Sequence, residues 1–254
     1  MSSHFNCIGF PVENMDAYWA LARRVAAEGI RMPVPGGGAL VRFELPQGPQ
    51  VWAQIDPAGE IAGITPFFAT GAPYGIAITG IGEDPEEPLD GWIDGWLEPR
   101  EGDEPYSGAF PLRTSLVDFA VVRNRITTFP TLGRVEIAAL ASEAELFENE
   151  EAYRTAPGEI YRPPAESFAS AAHASIDDTP AFQEPTALIS GRLTQARMLI
   201  NAVTESPYWW LQVRVREVTV HTFADRATLG GDPREGQILT GTVWLVGKVV
   251  DLGG

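Results

Sequence analysis

The clearest alternation of apolar and polar residues lies in the last third of the chain, between residues 207 and 223. On one side of an extended chain fall Trp209, Leu211, Val213 and Val215, and on the other Trp210, Gln212, Arg214 and Arg216. This period of two is typical of an antiparallel strand with one buried face. A second apolar run, 218–223, begins directly after Glu217. The pattern predicts a β-hairpin with Trp209 on its apolar face and Trp210 on its polar face.

A helical period is found near the N-terminus, in residues 15–28. The apolar positions 18, 21, 22 and 25 have the spacing of one buried helix face. Asn14 is suited to cap the first turn, and Gly29 to end the helix. A short strand is predicted before this helix, over 5–12. Further strands are predicted over 39–45, 51–55, 60–68 and 74–81, because apolar runs there are separated by Pro- and Gly-containing turns.

The composition changes sharply between residues 82 and 106. This acidic segment holds ten acids and one base, a local net charge of −9. Trp92 and Trp96 lie four residues apart within it, and this spacing predicts a short amphipathic helix that packs against the rest of the protein. Clustered carboxylates also suit a calcium ion, although the spacing of a calcium-binding loop is absent.

The second half of the chain begins with a predicted strand over 112–122 and a Pro-containing connection over 127–132. We place a domain boundary there, which gives domains 1–126 and 127–254. A strand is predicted over 134–141. Ser142 and Glu145 have the spacing of a capping box, which predicts a helix that extends to about 153. Residues 155–185 form a long irregular loop, and such a loop is either functional or covers another part of the protein.

The fold class predicted is α+β and mostly β. The order strand, helix and three strands near the N-terminus resembles a βαβββ module of the glyoxalase and extradiol-dioxygenase superfamily. Aligned on Val12, the resemblance places Cys7 where that family has a metal-binding His and Asn14 where it has an Asp. The nearest counterpart of the family's carboxylate ligand is Gln54. The metal ligands are therefore missing, and what the resemblance implies is a cup lined by Cys7, Trp52 and Gln54.

The segment from 186 to 254 resembles an OB-fold, a small antiparallel β-barrel. The resemblance rests on a strand with an internal Gly, a hairpin, and a Gly-bounded strand pair. Such barrels often bind single-stranded nucleic acid by stacking bases on aromatic rings over a basic groove. Trp210, Arg214 and Arg216 are the candidate contacts. This segment contains seven basic and six acidic residues, so its charge neither forbids nor strongly favours a polyanion.

Total charge and cysteine content narrow the classes of function. The formal net charge of −16 makes nucleic acid and anionic membranes unfavourable partners for the chain as a whole. One cysteine excludes an internal disulfide and a thiolate zinc cluster. No signal peptide or membrane span is predicted, so we expect a cytoplasmic location. Nothing in the sequence indicates a cofactor or a metal site.

No familiar catalytic motif occurs in the chain. His4, His173 and His221 are far apart, and His221 is predicted to face solvent from a strand. Cys7 lies in an apolar run and is interpreted as a small core residue rather than a nucleophile. The leading hypothesis is a non-catalytic two-domain protein that binds a protein or a small ligand. In that hypothesis Trp92, Trp96 and the loop 155–185 help to join its halves. A small-molecule enzyme or binding protein with the degenerate glyoxalase-like cup is the second hypothesis, and nucleic-acid binding is the third. The sequence leaves the oligomeric state open.

Overall fold

The computed structural model describes residues 3–84, 89–100, 106–157, 162–170 and 185–253. The N-terminal part contains a 3-10 helix (His4–Ile8), one long helix and four strands, namely α1 (Met15–Glu28), β1 (Ile30–Pro33), β2 (Ala39–Glu44), β3 (Pro49–Ile55) and β4 (Ile61–Phe68). The four strands pair in chain order as an antiparallel sheet. This part precedes a larger, mixed sheet of nine strands.

The predicted helix is confirmed at both ends. The side chain of Asn14 accepts a hydrogen bond from the Ala17 amide at 2.9 Å, and Gly29 lies at the C-terminal cap. The predicted strand over 5–12 is wrong, because residues 4–8 form the 3-10 helix. Gly9 ends this turn with φ +77°, where a Cβ would lie 2.7 Å from Cβ of Asn201. The apolar residues of 5–12 are buried by a turn that is wedged against the larger sheet, a contact that periodicity cannot reveal.

The larger sheet contains the remaining strands. They are β5 (Tyr74–Glu83), β6 (Gly91–Leu97), β7 (Phe110–Leu116), β8 (Thr131–Phe147), β9 (Ser167–Ser170), β10 (Thr186–Ile200), β11 (Pro207–Val215), β12 (Val218–Ala224) and β13 (Ile238–Leu252). In the described part of the chain, short helices lie between them, namely α2 (Phe119–Val122), α3 (Glu150–Thr155) and α4 (Arg226–Leu229), and a 3-10 turn (Arg123–Arg125) follows α2.

Two long strands, β8 and β13, form the centre of this sheet. They pair antiparallel from Gly133 opposite Leu252 to Phe147 opposite Ile238, and we call this pair the ribbon. Residues 135–141 of the ribbon are all buried, on both faces of the strand. A strand covered on both faces carries a continuous apolar run instead of an alternation. The strand predicted over 134–141 corresponds to this covered part of β8, and β8 continues beyond it to Phe147.

At each end of the ribbon, a group of three neighbouring strands connects β8 with β13. We call each group an arch. The first arch consists of β5, β6 and β7; β5 pairs antiparallel with β8, and β7 pairs parallel with β13. The second arch consists of β10, β11 and β12; β10 pairs antiparallel with β13, and β12 pairs parallel with β8. Each arch closes a ring of five strands with the ribbon. The two arches therefore repeat one topology around shared central strands.

The hydrophobic interior is divided by the ribbon. One cluster lies beneath both arches and includes Ile78, Leu112, Ala139, Leu211 and Leu245. The other lies between the opposite face of the ribbon and the N-terminal part, where Ala138, Leu140 and Val246 meet Trp52 and Phe67. The structure is thus mostly β with two sheets, and the N-terminal part covers the outer face of the ribbon.

The helix predicted at Trp92 and Trp96 is wrong, and the helix predicted from Ser142 to about residue 153 begins later than predicted. Trp92 and Trp96 lie on strand β6, in which buried and half-buried positions alternate. The capping-box residues Ser142 and Glu145 belong to β8, and the helix that follows begins at Glu150 with Asn149 as its cap. In both cases pairing across the ring outweighs a local helical signal.

Strand pairing also crosses the position at which the sequence predicts a domain boundary. Strand β5 pairs with β8, and β7 pairs with β13, on either side of residues 126 and 127. Within the described residues, no helix is long and apolar enough to cross a membrane.

Candidate functional site

The structure separates the three residues of the predicted N-terminal cup. Cys7 is 1% exposed, and its Sγ donates to the Ala141 carbonyl at 3.2 Å. Burial, and secondly the charge of Asp225, raise the pKa of the Cys7 thiol to about 12, so the thiol stays protonated at neutral pH. Trp52 is 2% exposed, and its Nε1 donates to Oε1 of Gln50 at 2.9 Å. Both residues belong to the packed interior.

Gln54 lies at the wall of a cavity. It is 3% exposed, and its Nε2 donates to the carboxylate of Asp90 and, at 3.4 Å, to Oγ1 of Thr65. Its Oε1 is buried and has no hydrogen-bond partner. A buried amide oxygen without a donor costs about 1–3 kcal/mol, so such an atom calls for an explanation.

A first cavity, of about 300 Å³, lies between the N-terminal part and the outer side of the first arch. Its lining is aromatic and acidic and combines residues that are distant in the sequence, chiefly His4, Asp84, Asp90, Trp92, Ser115 and Trp244. The His4 ring lies 5.0 Å from the Trp244 ring. Nε1 of Trp244 donates to Oγ of Ser115 at 3.2 Å, which fixes the indole against strand β7.

A second cavity, of about 510 Å³, lies on the other side of Asp90. It is bounded by the glycine-rich loop before β2, by the end of β3 with Gln54 and Asp56, and by Arg123. Nη1 of Arg123 donates to Oε2 of Glu83 at 2.9 Å. Asp90 lines both cavities, Thr65 lines the first, and Gln54 lines the second. These three hydrogen-bonded side chains form the partition between the cavities.

Trp92 is held rigidly in the wall of the first cavity. Its indole lies over Gly82 on the neighbouring strand, where a Cβ would be 2.3 Å from the ring. The Arg113 guanidinium is placed 4.9 Å from the ring centroid, and is itself held by Asp94 through bonds of 2.8 and 2.9 Å. A glycine is therefore required at position 82, because any larger side chain would displace the indole.

Trp210, the predicted stacking residue, is half-buried and surrounded by its own side-chain contacts. Its Nε1 donates to Nδ1 of His221 at 3.0 Å, and the two rings are stacked with centroids 5.7 Å apart. Phe68 and the Arg197 guanidinium also contact the indole. The prediction that His221 faces solvent is wrong: the residue is 7% exposed, and its ring packs against the rings of Trp210 and Tyr74.

The two arginines predicted beside Trp210 are exposed. Nη2 of Arg214 lies 3.1 Å from Oε1 of Glu166, and Arg216 occupies the hairpin turn with φ +55°. An exposed ion pair of this kind contributes about 0–1 kcal/mol. Nucleic-acid binding through these residues stays a prediction.

Asp118 is a buried acid outside both cavities. It precedes α2, is 8% exposed, and its Oδ1 accepts a hydrogen bond from the Val249 amide at 3.3 Å. Burial raises the pKa of Asp118 to about 7, while that hydrogen bond and the charges of Lys248 and Arg125 oppose the shift. The carboxyl group therefore changes its charge near neutral pH.

The structure describes only part of the predicted calcium site and of the predicted long loop. Residues 85–88 and 101–105 of the acidic segment, and 158–161 and 171–184 of the loop, lie outside the described residues. In the described part of the chain, no three His, Cys, Asp or Glu side chains are grouped to hold a metal ion. Within the loop, Phe168 of β9 stacks on Phe110 of the first arch at 4.1 Å.

Most residues of the cavities carry no signal in the sequence. Acids and tryptophans of the segment 82–106 do stand out, and they supply Asp84, Asp90 and Trp92. Ser115 and Trp244 come together only because β7 pairs with β13, a parallel pairing between strands more than 100 residues apart. Comparison with known proteins adds nothing: no family model, curated protein or solved structure matches the chain.

Proposed function

We propose that the protein is a small-ligand-binding module whose site is the first cavity, with Asp90 at its base. The observation that carries this proposal is the partition. Gln54 is almost fully buried, and its amide nitrogen donates to the carboxylate of Asp90 at the boundary of the two cavities. The amide oxygen of Gln54 has no hydrogen-bond donor. Ligand sites are concave, largely apolar, and contain a few oriented polar groups. The described residues of the cavity have this composition.

Nothing in this site requires chemistry on the ligand. The acids, the indoles and the Ser115 hydroxyl are groups that bind and orient, and Cys7 is a protonated core thiol. The proposal therefore stays with a non-catalytic module. Gln54 is the one residue of the glyoxalase-like hypothesis that contributes to the site, from the wall of the second cavity.

The two fold resemblances remain structural proposals. A helix followed by antiparallel strands supports the glyoxalase-like module, whereas the helical turn at residues 4–8 speaks against its first strand. The closed ring of five strands formed by the second arch and the ribbon supports the OB-like barrel.

The test is a fragment screen read by the indole N–H resonances of the seven tryptophans. Fragments that bind are expected to shift the resonances of Trp92 and Trp244 and to leave those of Trp96 and Trp209 unchanged. A Thr186→Phe variant fills the first cavity and is expected to abolish these shifts. Its matched control is Thr194→Phe, an exposed threonine of the same strand, which should bind as the wild type does. A screen without any shift at Trp92 and Trp244, or with shifts that survive Thr186→Phe, contradicts the proposal.

A further inference from the structure

A third cavity, of about 620 Å³, lies between β5 and β12, two strands that pair with the same edge of β8. There β5 pairs with residues 131–135 and β12 with residues 139–140, so the two strands separate along β8. The lining includes Tyr74 of β5 and Thr219 and His221 of β12. The first cavity has the corresponding position on the opposite edge of the ribbon, where β7 and β10 pair with β13. The separation of the two arches therefore leaves a cavity on each edge of the ribbon.

His221 offers an unused hydrogen-bond donor at this cavity. The residue is 7% exposed, and its Nδ1 accepts a hydrogen bond from Nε1 of Trp210 at 3.0 Å. An indole N–H is a donor only, so Nδ1 carries no proton and the neutral ring has its proton on Nε2. Burial lowers the pKa of His221, which keeps the ring neutral at pH 7. Within the described part of the chain Nε2 has no acceptor. Because a donor left without an acceptor in a largely buried ring costs free energy, the cavity favours a ligand that carries an acceptor.

Two guanidinium groups add positive charge to the lining. Arg100 follows β6, and Arg216 occupies the turn between β11 and β12. Both side chains are exposed, and neither forms an ion pair with any residue that the structure describes. A guanidinium presents paired N–H groups whose geometry matches a carboxylate. Like the Nε2–H of His221, these groups are donors that an anionic acceptor satisfies.

Two acids of the lining, Glu98 and Glu217, limit the charge of the ligand. Oε1 of Glu98 accepts a hydrogen bond from the Gly75 amide at 3.1 Å, and Glu217 follows Arg216 in the hairpin turn. A phosphate monoester carries about −1.5 to −2 charges and would be repelled by both acids more strongly than a carboxylate with its single charge. An ammonium group would leave the His221 donor without an acceptor. A monovalent anion therefore fits the lining best.

From these observations we infer that the third cavity binds a small molecule through a carboxylate, which accepts a hydrogen bond from His221 and forms ion pairs with Arg100 and Arg216. Apolar residues of the lining, among them Pro73 and Val218, contact the remainder of the ligand. This site is independent of the proposed function, because no described residue lines both the first and the third cavity.

The experiment compares four probes of similar shape, namely phenylacetate, phenylacetamide, phenyl phosphate and 2-phenylethylamine. Affinities are measured by calorimetry, and the site is located by the indole N–H resonance of Trp210, which is hydrogen-bonded to His221. Phenylacetate is expected to shift this resonance and to bind about tenfold more tightly than phenylacetamide, because charge-assisted hydrogen bonds are about twice as strong as neutral ones. Phenyl phosphate and the amine should both bind more weakly than phenylacetate.

Variants of the lining test the individual contacts. His221→Phe removes the donor and should weaken phenylacetate about tenfold. Arg100→Gln and Arg216→Asn should each weaken it about threefold, since exposed ion pairs are weakened by solvent. Asn suits position 216, where φ is +55°. Glu217→Gln removes a like charge and should strengthen phenylacetate. Arg234→Asn is the matched control, because it removes an equal charge at an exposed position outside the cavity, and it should leave the affinity unchanged.

Each alternative result contradicts a defined part of the inference. Phenylacetamide or the amine binding as tightly as phenylacetate overturns the anionic ligand, and tighter binding of phenyl phosphate overturns the carboxylate. Affinity that is unaffected by both arginine variants, or equally reduced by Arg234→Asn, overturns the assigned contacts. Absence of a shift at Trp210 with all four probes overturns the site itself. None of these results bears on the proposed function, which is read at Trp92 and Trp244.

Discussion

The first and second arches have the same strand order but meet the N-terminal part differently. Against the second arch the N-terminal residues are closely packed: Asn201 Nδ2 donates to the Ile8 carbonyl at 2.9 Å, and Phe68 stacks on Phe223 at 4.2 Å. Against the first arch the contact is looser and encloses the two cavities around Asp90. One architecture thus provides a sealed interface at one end of the ribbon and a candidate binding site at the other. The described residues of the β5–β6 connection, Asp84, Leu89 and Asp90, contribute to the lining of these cavities.

The comparison predicts that the two arches are equally important for stability. Leu112 and Leu211 are 1% and 0% exposed and lie beneath the first and second arch. Replacing either by Ala is expected to lower the free energy of unfolding by about 2–5 kcal/mol. Both variants should unfold in one transition, because the arches share the ribbon. Urea unfolding followed by fluorescence and circular dichroism measures this, and two separate transitions would show that the arches are independent.

A second prediction concerns Asp118, the buried acid that directly precedes α2 after the first arch. Its folded pKa of about 7 lies above the ordinary value of 3.8, so the folded state retains a proton over this interval. The wild type should therefore lose stability as the pH rises from about 4 to about 7, by up to about 4 kcal/mol from this group.

The Asp118→Asn variant has no proton to release, so its stability relative to the wild type should increase over the same pH interval. Asp225→Asn is the matched control in the second arch, where the side chain caps α4 through the Thr228 amide at 2.7 Å. Unfolding free energies at pH 5, 6, 7 and 8 provide the measurement. Parallel pH profiles of wild type and Asp118→Asn would show that the carboxyl group is ionised in the folded protein throughout.

The smallest expected effect belongs to His221 in the sealed interface of the second arch. Burial lowers the pKa of His221 from 6.5, so the folded state resists protonation. This contribution to stability is present above pH 6.5 and is lost as the pH falls below it. Protonation also removes the acceptor of the Trp210 N–H bond, which contributes about 1 kcal/mol.

A His221→Gln variant is expected to remove this part of the pH dependence. The advantage of the wild type over the variant should shrink between pH 7 and pH 5, and the Trp210 indole resonance of the wild type should move over the same interval. Trp92, in the first arch, is the internal reference. A wild-type advantage that stays constant with pH would show that the Trp210–His221 contact tolerates the imidazolium.

Local patterns in the sequence were sufficient to predict the elements that have one buried face and one exposed face. The helix over Met15–Glu28 buries one face, and its periodicity and cap were readable. The alternation of β11 correctly assigned Trp209, Leu211, Val213 and Val215 to the interior. Both patterns arise because one face of the element points toward the core and the other toward solvent.

Elements with more than one packing partner required the tertiary structure. Residues 142–147 carry a helical capping signal, but they continue strand β8 because residues 143–147 pair with residues 238–242 of β13. Trp92 and Trp96, four residues apart, suggest a helix, but pairing of β6 with β5 and β7 makes them residues of one strand face. His221 lies on the side of the hairpin that the sequence assigned to solvent, and it is buried there against Trp210 and Tyr74.

The sequence by itself determined a mostly β protein, its single long helix, the hairpin of the last third and the acidic character of 82–106. Only the tertiary structure decided that two arches share a ribbon, and that Asp90 lies between a cavity lined by Trp244 and a cavity lined by Gln54. The physical reason is that residue type and local spacing encode whether a side chain is buried. The distant side chains that it contacts depend on how the strands pair to close the two five-stranded rings.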